Sequence, residues 1–220
     1  MTTRLYLIRH AEAEGNVLRR FQGIWDSKLS EKGFLQLELL REKFKDIQID
    51  AAFASDLERA KVTGEYAASH SGVGVVPDER FRELNFGDWE NADAMHVRTT
   101  YPDDYFKYQY RADLFRITNG ESFAEVAVRM KEGVDECLRE NQGKTILIVS
   151  HSASIRAYLC EIMGISLSQI EKVGRIDNTS VSIIDFDEDL NATVVSLNDM
   201  DHLPEEIITD EGNRKYTQKK

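Results

Sequence analysis

Leu5-Tyr6-Leu7-Ile8-Arg9-His10 is a short apolar run that stops on a guanidinium and an imidazole, and Thr145-Ile146-Leu147-Ile148-Val149-Ser150-His151 repeats the pattern far along the chain. Runs of this length with no polar alternation read as strands covered on both faces, the situation of a parallel sheet between helices. A third run, Ala51-Ala52-Phe53-Ala54, ends at Ser55-Asp56. Ser55 with Glu58 three residues on is a capping-box pattern, predicting a helix through about Ser71 with Arg59 in its first turn.

Working outward, Ser30 opens a segment in which Leu37, Leu40, Phe44 and Ile47 keep three-to-four spacing. Ser122 with Glu125 caps a second, whose Phe123, Val126, Met130, Val134 and Cys137 form one apolar stripe ending near Gly143. A helix is expected from Ala153 to Met163. Late strands are expected over 180–185 and 192–197, joined by the polar turn 187–191. Strands alternating with helices predict an α/β fold: a mostly parallel central sheet sandwiched between helices, as a single domain over 1–220. Residues 91–119 hold Tyr101, Tyr105, Phe106, Tyr108, Tyr110 and Phe115 among charges and are a candidate helical cap, read more as packing than as a substrate box. Residues 204–220, with Arg214-Lys215 and Lys219-Lys220, read as a polar surface tail.

Length and composition bound the function. At 220 residues, 41% hydrophobic and 30% charged, with 13 Gly and 3 Pro, the chain has the composition of an ordinary globular domain, which excludes disordered, collagenous and disulfide-framed classes. The 39 acids against 28 Lys and Arg give a net charge of −11, which argues against nucleic acid and anionic membrane as partners. No apolar run approaches a membrane span and the start does not read as a signal peptide, so a cytoplasmic location is expected. Cys137 and Cys160 read as free buried thiols. A homodimer is compatible with this composition.

In an open α/β sheet the ligand crevice lies beyond the carboxyl ends of the strands. Arg9, His10 and His151 leave two strands there and Arg59 opens the helix after a third, so two imidazoles and two guanidiniums meet at one rim. Cations packed so closely call for an anion between them, and the Arg fork suits phosphate. Helix N-termini after Ser55 and His151 add N–H donors. No glycine-rich nucleotide cradle is present. A zinc site from His10, His151 and an acid is disfavoured, because the neighbouring arginines would oppose a divalent cation; no metal and no cofactor are expected. A histidine in such a pocket is suited to attack phosphorus as a neutral nucleophile. His70, His96 and His202 lack such company and read as surface or packing residues.

The ordered set Leu7-Ile8-Arg9-His10-Ala11-Glu12, Asn16, Phe21-Gln22-Gly23, Leu29-Ser30-Glu31-Lys32-Gly33, Ser55-Asp56-Leu57-Glu58-Arg59-Ala60, Glu83-Leu84-Asn85-Phe86-Gly87-Asp88-Trp89-Glu90 and Ser150-His151-Ser152 resembles the motifs of the histidine phosphatase superfamily, the phosphoglycerate mutase-like enzymes. The resemblance implies a metal-independent phosphomonoesterase acting on small phosphorylated metabolites. It implies that His10 is phosphorylated, that Arg9, Arg59 and His151 hold the phosphoryl group, and that Glu83 is the general acid. Asn16, Gln22, Gly23 and the Ser152 backbone would complete the pocket. Ala11 and Asn91 stand where the family more often has Gly. The alternatives are a phosphoglycerate mutase and, from another class, an inactive phosphate- or phosphopeptide-binding protein.

Overall fold

The computed structural model describes residues 1–210. The chain runs β1 (Thr3–Arg9), α1 (Glu14–Val17), α2 (Glu31–Lys43), β2 (Ala51–Ala54), α3 (Glu58–Ala68), β3 (Val75–Pro77), α4 (Ala94–Thr100), α5 (Pro102–Tyr110), α6 (Phe123–Glu140), β4 (Thr145–Ser150), α7 (Ser152–Ile162), β5 (Val181–Phe186) and β6 (Ala192–Asp199). The strands form one sheet in the order β3-β2-β4-β1-β5-β6. The pairs β2–β3, β2–β4 and β1–β4 are parallel, while β5 runs antiparallel to both β1 and β6.

The central strands alternate between two cores, as the period of two requires. Leu5 and Leu7 of β1, with Ile146 and Ile148 of β4, face the cluster built on the α6 stripe and on Ile155 and Leu159 of α7. Tyr6, Ile8, Leu147 and Val149 face Leu40, Phe44 and Ala60 on the opposite side. The all-apolar runs therefore mark strands buried on both faces, and the sandwiched sheet expected from sequence is present.

Local signals held where side chain and backbone lie close in sequence. Ser30 accepts from Gly33 N and opens α2, and Ser122 and Glu125 form the reciprocal capping box of α6. Gly33 is fixed by close approach, since an added Cβ would lie 2.1 Å from Glu12 O. One expectation is corrected: Ser55 and Glu58 make no capping box. The Ser55 hydroxyl accepts from Leu57 N, and Glu58 N is instead capped by Asp26 Oδ2 at 2.6 Å, from a loop distant in sequence. The α-helix ends at Ala68 and a 3-10 turn carries it to Ser71.

The cap candidate is helical, as α4 and α5. Asn91, the replacement for a common Gly, sits at φ 59°. Asn tolerates that left-handed conformation better than most residues, and its carbonyl and Oδ1 accept from Arg20 Nη1 at 2.8 and 3.0 Å. The cap's aromatic residues pack on one another and on neighbouring rings: Phe21–Tyr108 at 5.4 Å, Tyr108–Phe115 at 5.6 Å and Trp89–Phe115 at 5.5 Å between centroids. The described part of the tail, 204–210, is mostly exposed and is tied to the body at Gln36. Gln36 Nε2 donates to Ile207 O and Thr209 Oγ1, both at 3.0 Å, which docks 207–209 on α2. Arg214, Lys215, Lys219 and Lys220 lie outside the described residues.

Candidate active site

Strand register creates the site. Arg9 pairs with Ser150 across β1 and β4, so the next residues, His10 and His151, leave the sheet side by side with ring centroids 5.0 Å apart. His10 N donates to Ser150 O at 3.0 Å, fixing this exit. The His10 ring meets the Ala11 carbonyl at 2.7 Å through Nδ1. A carbonyl only accepts, so Nδ1 carries the proton and the lone pair is on Nε2. Ala11 is buried at ordinary negative φ, and its N–H donates to Thr63 Oγ1 at 3.0 Å, so the extra Cβ is accommodated without backbone strain.

A segment unmarked in the sequence buttresses this corner. Asn178 Nδ2 donates to His10 O at 2.8 Å, Thr179 N donates to Arg9 O at 3.0 Å, and Arg9 Nη1 donates to Ile176 O at 2.8 Å. Thr179 adopts φ 54°, an uncommon conformation for a β-branched residue. Strain of this sort persists where surrounding contacts over-determine the backbone.

Arg59 is 1% exposed and ties the 22–26 loop together, donating to Gly23 O at 2.8 Å, Trp25 O at 3.0 Å and Asp26 Oδ1 at 3.0 Å. His151 is fully buried, and neither of its ring nitrogens has a hydrogen-bond partner among the described residues. Buried polar atoms without partners are costly, and here they lie beside guanidiniums, an arrangement suited to an oxygen-rich anion.

Glu83 is buried at the N-terminus of α7. Its Oε1 accepts from Leu84 N at 2.8 Å and Ser154 N at 3.0 Å, and its Oε2 from Ala153 N at 3.1 Å. Arg129, unsignalled in the sequence, holds this loop by donating to the carbonyls of Arg80, Arg82 and Glu83.

A cavity of about 550 Å³ opens over these groups. Arg9, His10, Asn16, Gln22, Glu83 and Ser152 line it, while Arg59 and His151 stand behind that lining. Gly23 is absent from the lining: its N–H donates to Glu90 Oε2 at 3.2 Å, and a Cβ there would lie 2.5 Å from Leu84 O. Its glycine identity follows from packing. Glu90, which accepts from the 23–25 amides and from Phe86 N, is the loop organiser that sequence reading missed. The described residues contain no cluster of three or more His, Cys, Asp or Glu arranged for a metal ion.

Burial, reinforced by Arg59, holds both His10 and His151 well below the ordinary imidazole value. Both rings are neutral in the folded protein at neutral and mildly acidic pH, whereas the unfolded chain protonates them below about 6.5. The unfolded state then binds more protons, so stability is fully present above about pH 6.5 and declines as pH falls below it. The slope approaches about 1.4 kcal/mol per pH unit for each histidine. Thermal unfolding between pH 7.5 and 5 should show Tm falling with pH, with a shallower fall in His151→Asn; equal slopes would contradict a buried neutral pair.

The comparisons with known proteins agree with this geometry. The family model of the histidine phosphatase superfamily (branch 1) matches residues 5–200. Phosphoserine phosphatase 1 of Hydrogenobacter thermophilus is 32% identical over 202 residues, covering 92% of this chain and 95% of that protein. An Erwinia tasmaniensis protein named "Probable phosphoglycerate mutase GpmB" is 34% identical over 184 residues, 84% of this chain and 85% of its own. Among solved structures, YhfR of Bacillus stearothermophilus superposes with a TM-score of 0.87 at 30% identity, over 91% of this chain and 98% of its own. A β1 exit at Arg9-His10 facing a β4 exit at His151, with a family match across nearly all of the sheet, has one consequence: this chain belongs to the histidine phosphatase superfamily.

Proposed function

We propose that the protein is a metal-independent phosphomonoesterase that transfers the phosphoryl group of a small phosphorylated metabolite through His10 to water. His10 Nε2 attacks phosphorus as the P–O bond to the leaving alcohol breaks, and Glu83 supplies the proton to that oxygen. Water then attacks the phosphohistidine, the P–N bond breaks with its electron pair returning to Nε2, and the water proton passes to Glu83. Arg9, Arg59 and His151 match the charge spread over the transferring oxygens, while Asn16, Gln22 and the first turn of α7 at Ser152 border the same space. The observation that carries the reading is the 2.7 Å contact of His10 Nδ1 with the Ala11 carbonyl, which assigns the proton to Nδ1 and leaves Nε2 as a neutral nucleophile beside buried cations.

Water, rather than a second sugar-acid hydroxyl, is the acceptor. A mutase needs extra cations above the phosphohistidine to hold its reorienting product. Beyond Arg9 the cavity wall carries Arg19, Arg20, Arg156 and Arg175, but the 91–119 segment adds none of its own cations: Arg98, Lys107, Arg111 and Arg116 are absent from the lining. Lys107 is paired with Asp104 and Arg111 with Asp113, each at 2.8 Å, and Arg116 donates to the Phe115 carbonyl. Tyr105, Tyr108 and Tyr110 face the cavity instead, which favours bulky leaving groups. The test offers p-nitrophenyl phosphate and, separately, 3-phosphoglycerate with a trace of 2,3-bisphosphoglycerate, with EDTA throughout. Phosphate release from the first with little 2-phosphoglycerate from the second is expected; fast isomerisation with negligible phosphate release would make it a mutase.

The net charge of −11 sets this protein against nucleic acid and anionic membrane. No helix among the described residues is long and apolar enough to cross a membrane. The free, buried Cys137 and Cys160 suit a reducing cytoplasm.

A further inference from the structure

The cavity wall carries a guanidinium that phosphoryl transfer does not use. Arg156 lies four residues beyond Ser152 on α7, hence on the same helical face and about 6 Å along the axis. Helical side chains lean toward the N-terminus, which returns its guanidinium to the cavity that it lines. Nη2 donates to Ile170 O at 3.2 Å, whereas Nε is buried and has no hydrogen-bond partner. Burial lowers the guanidinium's proton affinity, against the pull of Tyr108 and Glu171. A buried charged donor without an acceptor is unfavourable, and a ligand oxygen would relieve it.

The other cations of this wall are differently placed. Arg9 is anchored at the histidine corner, Arg19 and Arg20 are exposed, with Arg20 bonded to Asn91, and Arg175 is ion-paired with Asp177 at 2.8 Å. Beside Arg156, Glu171 directly follows the anchoring Ile170 and lines the same cavity with its side chain exposed. No ion pair joins these two described residues, so the cavity wall offers a separate positive and a separate negative group.

We propose that Arg156 and Glu171 form a leaving-group subsite for a phosphorylated hydroxy-amino acid, the carboxylate bound by the Arg156 guanidinium and the ammonium by Glu171. This deepens the phosphomonoesterase reading and rests on it. A phosphorylated amino alcohol leaves the Arg156 guanidinium without a carboxylate, and a phosphorylated hydroxy acid gives Arg156 its carboxylate but leaves Glu171 facing the ligand without an ammonium. Selectivity therefore comes from both groups, one attractive for the carboxylate and one repulsive toward acids lacking the amine.

The experiment measures kcat/KM for O-phospho-L-serine, O-phosphoethanolamine, 3-phosphoglycerate and p-nitrophenyl phosphate. The amino-acid ester should exceed both single-charge esters by roughly 10- to 100-fold, the scale of one charge-assisted hydrogen bond. Arg156→Gln, and separately Arg156→Lys, should cut the ratio of phosphoserine to p-nitrophenyl phosphate turnover at least tenfold, and Glu171→Gln should narrow the gap between phosphoserine and 3-phosphoglycerate. A wild-type enzyme that hydrolyses the single-charge esters as well as phosphoserine overturns the subsite while leaving the phosphatase reading intact. Absence of turnover on every ester overturns the phosphatase reading itself. Binding to the His10→Ala protein then decides the subsite alone: O-phospho-L-serine should bind at least tenfold tighter than inorganic phosphate, and equal affinities would remove it.

Discussion

Replacing His10 by alanine should lower turnover of any phosphomonoester by about 10⁴ to 10⁶-fold, the range seen when a covalent nucleophile is deleted. The pocket should survive. Arg59 is held by the carbonyls of Gly23 and Trp25 and by Asp26, and Arg9 by Ile176 O, none of which involves the His10 ring. The contacts that fix His10 in the backbone go through its N–H and C=O, which alanine keeps. Inorganic phosphate and vanadate should therefore still bind while chemistry stops. In the wild type, acid-quenched after mixing with a labelled ester, phosphate should sit on the protein in an acid-labile, base-stable form, and His10→Ala should carry none. Undiminished turnover in that variant would remove the covalent mechanism; retained turnover with label on another residue would move the nucleophile.

What the sequence made legible follows from how local each cause is. The exits of β1 and β4 could be read because an apolar run that ends on Arg-His or Ser-His is a local pattern, and strand register then places the two imidazoles together. Capping at Ser30 and at Ser122 was legible for the same reason, partner and cap lying three residues apart. The Ser55 pattern failed because Asp26, from a loop remote in sequence, supplied a better acceptor to the same helix N-terminus. Arg129 and Asn178 carry no local signal: each acts on backbone groups far away in the chain, and an isolated charged or amide residue reads as solvated surface. Glu90 could be read only as the end of a motif, because its grip on the 23–25 amides spans more than sixty residues. Thr179 at φ 54° was unreadable in principle, since a β-branched residue is a poor candidate for that conformation and only the clamp on Arg9 and His10 makes sense of it. Arg156 was hidden inside a helical pattern, where a lone cation ordinarily marks the solvent face.

Glu83→Gln should slow hydrolysis of an alkyl phosphate by about 10² to 10⁴-fold, the usual contribution of a positioned general acid, while slowing p-nitrophenyl phosphate far less. The difference arises in the leaving group. An alkoxide departs badly without a proton, whereas p-nitrophenolate is stable as it leaves, so a missing acid is felt only by the first. The structure gives Glu83 a second job, because its carboxylate accepts from Ala153 N and Ser154 N and so caps α7, the helix whose first turn borders the cavity at Ser152. If capping were its whole contribution, the glutamine amide, which keeps one acceptor oxygen of the same reach, would disturb both substrates through the same displaced helix and by the same factor. The measurement is single-turnover phosphorylation of His10 by each ester, which keeps dephosphorylation from masking the step. A loss confined to the alkyl ester assigns the proton to Glu83, and equal losses would leave it as the cap of α7 and send the search for the acid elsewhere along the cavity wall.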